Sequence, residues 1–290
     1  MTISDGGTVA VGVKAPAKIN VGLHILGLRP DGYHEIRTVL QQINLADEIL
    51  LEDAPDLSLS LTGDRRDLPA GEKNLCMKAA LLLRRRTGCP KGARIKLNKV
   101  IPIGAGLGGG SSDAAATLKA LNQMWQTGLD QPTLMDLAAE LGSDVPFFIA
   151  GGCCLAMGRG EILTQIDPII RDQIVLICPN LRISTARAYE NIGNYRLTSQ
   201  MENIIFQNSL RKDLSNPEFY NTLTNDFESL VFAHYPVLEK LKKTLLMRGA
   251  YYSSLSGSGS ALYGVFASSE KAKRASEEIQ IKGKIYLLEP

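Results

Sequence analysis

At 290 residues, with 44% hydrophobic and 21% charged residues, the chain has the composition of an ordinary globular protein with room for one large or two moderate domains. Lysine plus arginine exceeds aspartate plus glutamate by only two (32 against 30), which gives no ground for expecting nucleic acid as a partner. The five cysteines (Cys76, Cys89, Cys153, Cys154, Cys178) are odd in number and contain no CxxC, so neither a disulfide framework nor a zinc site is indicated. The first residues lack a basic segment followed by an apolar run, and the longest mainly apolar stretch, Val145 to Met157, is too short and glycine-broken to span a membrane. The expected location is therefore cytoplasmic.

In chain order, residues 9 to 28 read as two strands around Pro16, and Leu57 to Thr62 alternates at period two as a strand. Asn74 to Thr87 reads as a helix closed by Gly88, and Arg84, Arg85 and Arg86 at its end suit a solvated face that complements the helix dipole. Arg94 to Leu97 alternates as a half-buried strand. A glycine loop follows, and after it Asp113 to Leu121 favours a helix that Ser111 or Ser112 could cap, with Asp113 complementing the dipole. Residues 132 to 141 read as a second helix, with Pro132 near its first turn and Gly142 at its end. Phe147 to Ala150 and Cys153 to Ala156 look strand-like. A boundary is expected between Ile162 and Asp172, where Asp167-Pro168 interrupts the pattern. Beyond it come a strand at Ile174 to Ile177, a polar region from 191 to 226, a helix after Pro236 ending at Gly249, and a strand over Ala261 to Phe266. Strands and helices in this irregular order indicate an α+β fold rather than repeated βαβ units.

The loop is the strongest local signal. Residues 104 to 110 contain five glycines in seven positions, preceded by Pro102 and followed by Ser111-Ser112-Asp113. Glycine has no Cβ, so several N–H groups can approach an anion, and the helix that follows adds partial positive charge. A strand, a glycine loop and a helix in that order make a phosphate cradle. A Walker A loop would need lysine directly after the last glycine, where Ser111 stands. Gly104-x-Gly106-x-x-Gly109 satisfies the dinucleotide pattern, but a second helix follows where that fold requires a strand ending in an acidic residue. The His-Arg-Asp and Asp-Phe-Gly tripeptides of protein kinases do not occur.

Pro102 to Ser112, taken with Ala15-Pro-Ala-Lys-Ile-Asn-Val-Gly-Leu23 and Leu255-Ser-Gly-Ser-Gly-Ser-Ala261, resembles the three ordered motifs of the GHMP kinase superfamily. Leu26 to Glu35 (containing Gly32-Tyr33-His34) and Leu141 to Phe148 (containing Gly142-Ser143-Asp144) are similar to the branch that acts on a cytidine-diphosphate-linked methylerythritol in non-mevalonate isoprenoid synthesis. The resemblance implies a two-domain GHMP kinase fold. Residues 1–165 would form a ribosomal-S5-like nucleotide domain and residues 166–290 a ferredoxin-like substrate domain.

Phosphoryl transfer asks a protein for a carboxylate, a cation and a cradle. By residue pattern alone, Asp144 before Pro146 is either a turn-capping aspartate or a functional carboxylate, and Lys18 is either a surface lysine or that cation. The resemblance assigns Asp144 as catalytic base and Lys18 as its cationic partner. It further implies ATP with Mg²⁺, held by Pro102, Gly104, Ala105, Gly106, Leu107, Gly108, Gly109, Gly110, Ser111 and Ser112, with Lys99 and Asn74 near the adenine. Ser111 or Ser112 could offer a hydroxyl to the metal or simply cap the helix. For the substrate it implies Tyr33 and His34 at the cytidine, Tyr189 as a second stacking ring, and Asn20, Thr185, Gly257 and Ser258 near the rest of the ligand. An aromatic sandwich suits cytosine, which offers a π face and a hydrogen-bonding edge. The implied partner is a small molecule, with no nucleic acid and no membrane.

Overall fold

The structure is a computed structural model that describes residues 2–5, 8–63, 68–69, 71–193, 219–220 and 222–289. It divides into two compact units that interleave along the chain. Unit 1 comprises residues 1–17, 45–103 and 108–151, and unit 2 comprises residues 18–44, 104–107 and 152–290. The long strands β2 (Thr8–Leu28) and β3 (His34–Ala54) each contribute residues to both.

β2 is one strand where two were expected around Pro16. Proline lacks a donor, but its fixed φ is compatible with extended backbone, so it does not have to end a strand.

In unit 1, β1 (Thr2–Asp5) runs antiparallel to the start of β2, with Thr2 opposite Val11. The second half of β3 pairs antiparallel with β5 (Gly92–Lys99), Glu48 opposite Asn98, and β4 (Leu57–Gly63) runs parallel to β5, Leu57 opposite Ala93. The alternation noted in the sequence is real: Ile95 and Leu97 are buried while Arg94 and Lys96 face solvent. Helix α1 (Leu75–Thr87) packs on α2 (Gly109–Trp125), and α4 (Val145–Ala150) packs on both α2 and α3 (Gln131–Leu141). Their ends follow local chemistry. The Asn74 side chain caps α1 by accepting from the Cys76 N–H, Gly88 closes it at φ 68°, and Asp130 caps α3 through the Thr133 N–H.

Residues 147–150, expected as a strand, belong to α4. All five residues from Val145 to Ile149 are buried, and a continuous apolar run carries no period that separates strand from helix. Pro146 in the first turn, where its missing N–H costs nothing, favours the helix.

In unit 2, β8 (Gln173–Pro179), β9 (Tyr252–Leu255), β10 (Leu262–Phe266) and β11 (Gly283–Leu288) form an antiparallel sheet in the order β11-β8-β10-β9. Leu262 stands opposite Ile177 on one side and Leu255 on the other. Helices α5 (Thr185–Ile192), α6 (Phe227–His234), α7 (Pro236–Met247) and α8 (Ser269–Glu278) supply apolar faces to this unit. Val175, Ile177, Phe227, Leu238, Leu245 and Phe266 lie in one core cluster, each burial contributing about 1.5–3 kcal/mol relative to exposure. The first half of β3 pairs antiparallel with β6 (Cys153–Gly158), Ile36 opposite Gly158, and β7 (Ile162–Gln165) adds to β6. Much of the polar region from 191 to 226 lies outside the described residues.

Candidate active site

The glycine loop belongs to both units, and each part is built differently. Gly104, Gly106 and Gly108 have φ of 70°, 80° and 69°, a left-handed conformation that side chains rarely adopt. Gly108 is the N-cap of α2, which has no side-chain cap. The expectation that Ser111 or Ser112 caps this helix is therefore corrected. The glycine itself makes the turn, which carries the helix start back to Gly109 and puts both serines inside the first turn. An N-terminus without a side-chain cap leaves its amides to other acceptors, and a phosphate is the natural one. The Ser112 hydroxyl is buried and has no hydrogen-bond partner among the described residues. A hydroxyl so placed forgoes a bond unless a ligand provides one.

Behind this helix start lies a buried ionic cluster in unit 1. Lys99 at the end of β5 is bound by Asp47 of β3 and by Asp113 of α2, the latter at 2.7 Å. Asp47 also accepts from the Val100 and Ile101 N–H groups at 2.6 and 2.9 Å. Burial pulls the Lys99 ammonium down, but Asp113 and Asp47 outweigh it and its pKa is raised. Burial, with Asp47 adding repulsion, pushes Asp113 up to about 7 against the pull of Lys99. Asp113 thus serves as an ion-pair partner in the core, not as the dipole complement expected in the first turn. The Lys99 ammonium, expected near adenine, is committed to these carboxylates. Asn74, expected there too, has both ends of its amide engaged, one capping α1 and the other donating to the Pro69 carbonyl at 3.0 Å.

Asp144 occupies the N-cap position of α4 with φ −84° and ψ −12°, yet its side chain makes no capping bond.

In unit 2, three sequence motifs meet. The Lys18 N–H donates to the Leu107 carbonyl at 3.0 Å, and the Ala261 N–H donates to the Ala105 carbonyl at 3.0 Å. The Ser256 hydroxyl donates to the Gly106 carbonyl at 3.0 Å. A Cβ on Gly106 would stand 2.1 Å from the Ser256 carbonyl oxygen, so this position admits glycine alone on two counts, contact and φ. Residues 104 to 107 are therefore held between the first and third motifs. Lys18 is 4% exposed, and its ammonium donates to the Asn20 Oδ1 at 2.6 Å. Gly257 adjoins the same pair, since a Cβ on it would lie 3.2 Å from Asn20 Oδ1 and 3.7 Å from the Lys18 nitrogen.

The expected aromatic set is partly assembled. His34 stacks on Tyr189 with centroids 5.1 Å apart and an interplanar angle of 27°, and Tyr189 rests edge-on against Phe227. Tyr33, 53% exposed, lies under the Arg159 guanidinium at 4.6 Å. Burial lowers the His34 pKa, which favours the neutral ring. Thr185 and Ser258 exchange a hydroxyl hydrogen bond of 2.9 Å. Sequence reasoning missed Asp47, Ser256, Asn225 and Arg159. Asn225 donates to the Leu255 and Gly257 carbonyls at 2.8 and 2.9 Å, and nothing near it in the chain signals that task.

The glycine loop at the start of α2, with its uncapped helix end, suits an anion, and comparison with known proteins gives the class as a small-molecule kinase. Family models described as "GHMP kinases N terminal domain" and "GHMP kinases C terminal" match residues 74–152 and 206–285. The chain belongs to the GHMP kinase family. Within it, the chain is 44% identical to 4-diphosphocytidyl-2-C-methyl-D-erythritol kinase of Chlorobium phaeobacteroides (strain BS1), over 97% of both chains. It is 42% identical to the kinase of the same name from Caldanaerobacter subterraneus subsp. tengcongensis, over 92% of both. A crystal structure of 4-(cytidine 5'-diphospho)-2C-methyl-D-erythritol kinase superposes with a TM-score of 0.77 at 33% identity, covering 96% of this chain and 98% of the other. Methanococcus jannaschii mevalonate kinase shares the fold, with a TM-score of 0.72 at 15% identity. No helix among the described residues is long and apolar enough to cross a membrane.

Proposed function

We propose that the protein is an ATP-dependent kinase that phosphorylates the 2-hydroxyl of 4-diphosphocytidyl-2-C-methyl-D-erythritol, a cytoplasmic step of isoprenoid synthesis. The observation that carries this reading is the 44% identity to a kinase of that name along 97% of the chain. The division at residue 165 into a nucleotide and a substrate domain belongs to the same proposal.

The amides and glycines of residues 104–112 hold the triphosphate. A Mg²⁺ ion would neutralise charge on the phosphate oxygens during transfer. Among the described residues no group of three or more His, Cys, Asp or Glu could hold a metal. Magnesium commonly rides on substrate phosphates with few protein ligands, and the unpartnered Ser112 hydroxyl is suited to be one of them. Asp144 accepts the proton of the substrate hydroxyl and aims its oxygen, while Lys18 stabilises negative charge as the phosphoryl group moves. Tyr33, His34 and Tyr189 read the cytosine, and Asn20, Thr185, Gly257 and Ser258 contact the remainder of the ligand. The neutral His34 ring keeps one acceptor and one donor, as needed to match a base edge. With His34 and Tyr189 already in contact, a base enters beside this stack or displaces one ring from the other.

An ATP-consumption assay tests the reading. The cytidylylated methylerythritol should be turned over and yield a 2-phosphate by ³¹P NMR. Equal or faster turnover of homoserine or mevalonate would overturn it.

A further inference from the structure

We infer that Thr38, which carries no role in the site described above, is a positioning residue that fixes the orientation of the Asn20 carboxamide and, through it, the Lys18 ammonium. The inference rests on the kinase reading of Lys18. The Asn20 carboxamide could be turned either way about its last bond, presenting oxygen or NH₂ to the lysine, and the two orientations have opposite electrostatic consequences.

The chain of contacts leaves one orientation. Lys18 Nζ can only donate, and it reaches Asn20 Oδ1 at 2.6 Å. Asn20 Nδ2 donates to Thr38 Oγ1 at 3.1 Å. The Thr38 hydroxyl in turn donates to the Gly22 carbonyl at 2.5 Å, and a carbonyl can only accept. A donor-only group at one end and an acceptor-only group at the other set the polarity of every link between them. Gly22 has φ 71° within β2, a left-handed conformation suited to glycine, and its carbonyl is the one that meets Thr38.

The relay is dry and anchored. Thr38 is 1% exposed and Asn20 is 4% exposed. The Asn20 main chain is held on both sides, its N–H donating to Ser256 Oγ at 3.4 Å and its carbonyl accepting from the Tyr263 hydroxyl at 2.8 Å. The Asn20 main chain is therefore held independently of Thr38, so loss of the Thr38 hydroxyl acts at Asn20 through the carboxamide, besides leaving the Gly22 carbonyl without that donor. Without that hydroxyl, Asn20 Nδ2 has no acceptor there. Turning the group would place NH₂ against the ammonium and push Lys18 from its position.

The experiment compares Thr38→Val, which keeps the shape and removes the hydroxyl, with Thr38→Ser, which keeps the hydroxyl and removes the methyl. Thr38→Val should lower kcat at least tenfold with the KM for ATP within twofold, and Thr38→Ser should stay within twofold of the unaltered protein in both. A purely structural role would predict that both variants fail together, or that KM rises in step. Thr38→Val with kcat within twofold of normal overturns the inference. Where Thr38→Val does not fold, Thr38→Cys, which offers only a weak donor and acceptor, must be at least fivefold slower than Thr38→Ser for the inference to stand. Failure of the kinase reading shows separately, as an unaltered protein that consumes no ATP. In that event the side-chain amide resonances of Asn20 decide: slow hydrogen exchange in the unaltered protein and Thr38→Ser, but fast exchange in Thr38→Val or Thr38→Cys, supports the relay, and equal exchange in all refutes it.

Discussion

Two buried lysines, one in each unit, differ in the partners that the structure shows for them. Lys99 lies between the carboxylates of Asp47 and Asp113, which bind β3, β5 and α2 to one another through charge. Lys18 donates to the Asn20 carboxamide, whose NH₂ reaches the Thr38 hydroxyl, while the Asn20 main chain meets the hydroxyls of Ser256 and Tyr263. A buried charge that is cancelled by its neighbours supports the fold and has little left to offer a substrate. The bond from Lys18 to the Asn20 carboxamide positions the ammonium without itself cancelling its charge. Burial alone therefore does not mark a lysine as catalytic, and the chemistry around it does.

Lys18→Met and Lys99→Met should separate these cases, and they carry the largest expected effects. Lys18→Met should lose about 10²–10⁴-fold in kcat, as Asp144→Asn should, while the urea midpoint moves little. Activity within tenfold of normal in both variants would remove the pair from the mechanism. Lys99→Met should instead cost about 3–5 kcal/mol of stability, since it leaves two buried carboxylates without their cation. Retained stability in urea melts would break the contrast.

A second pair tests the hub around Lys18 at the loop. Gly104 and Gly106 both have left-handed φ, but a Cβ on Gly104 meets nothing within 4 Å whereas one on Gly106 meets the Ser256 carbonyl. Gly104→Ala should cost about 1–2 kcal/mol, the usual penalty of that conformation. Gly106→Ala should cost more and should also raise the KM for ATP. Equal losses would mean that the contact with residue 256 carries no weight.

The charged cluster should also be visible in pH titration. Asp113 has its pKa raised from 3.8 to about 7 in the folded chain, so the folded state holds a proton that the unfolded state has released. Its contribution to stability is then fully present below about pH 4 and lost as pH rises toward 7, with a slope of at most about 1.4 kcal/mol per pH unit. Asp113→Asn should flatten the stability profile across that window. A profile unchanged by the substitution would count against the raised pKa. The smallest effect concerns Ser112→Ala. The lost hydroxyl has no partner, so stability should stay within about 0.5 kcal/mol, while the Mg²⁺ concentration needed for half-maximal rate should rise several-fold. A drop in stability with unchanged metal dependence would assign Ser112 to packing.

Much of this was legible in the chain itself. The strands at 57–62, 94–97, 174–177 and 261–266 and the helices at 74–87, at 132–141 and after Pro236 follow from period and end signals, which are local properties. The glycine run announced the left-handed turns at Gly104, Gly106 and Gly108 because backbone freedom is written residue by residue. Where local signals were silent or shared between outcomes, reading them failed. The apolar run at 147–150 formed a helix, the serines proved to lie inside α2 instead of capping it, and Pro16 did not divide β2.

The sequence by itself determined the α+β class, the glycine turn before α2 and the family motifs, because each depends on contacts between residues close in the chain or on a pattern carried whole. Only the tertiary structure decided which charges cancel and which hydrogen bonds are relayed. Asp47 meets Lys99 across 52 positions, and Tyr263 meets Asn20 across 243. Such pairings arise from sheet register and core packing, which no local window of residues contains, and they set the surroundings of Lys99 apart from those of Lys18.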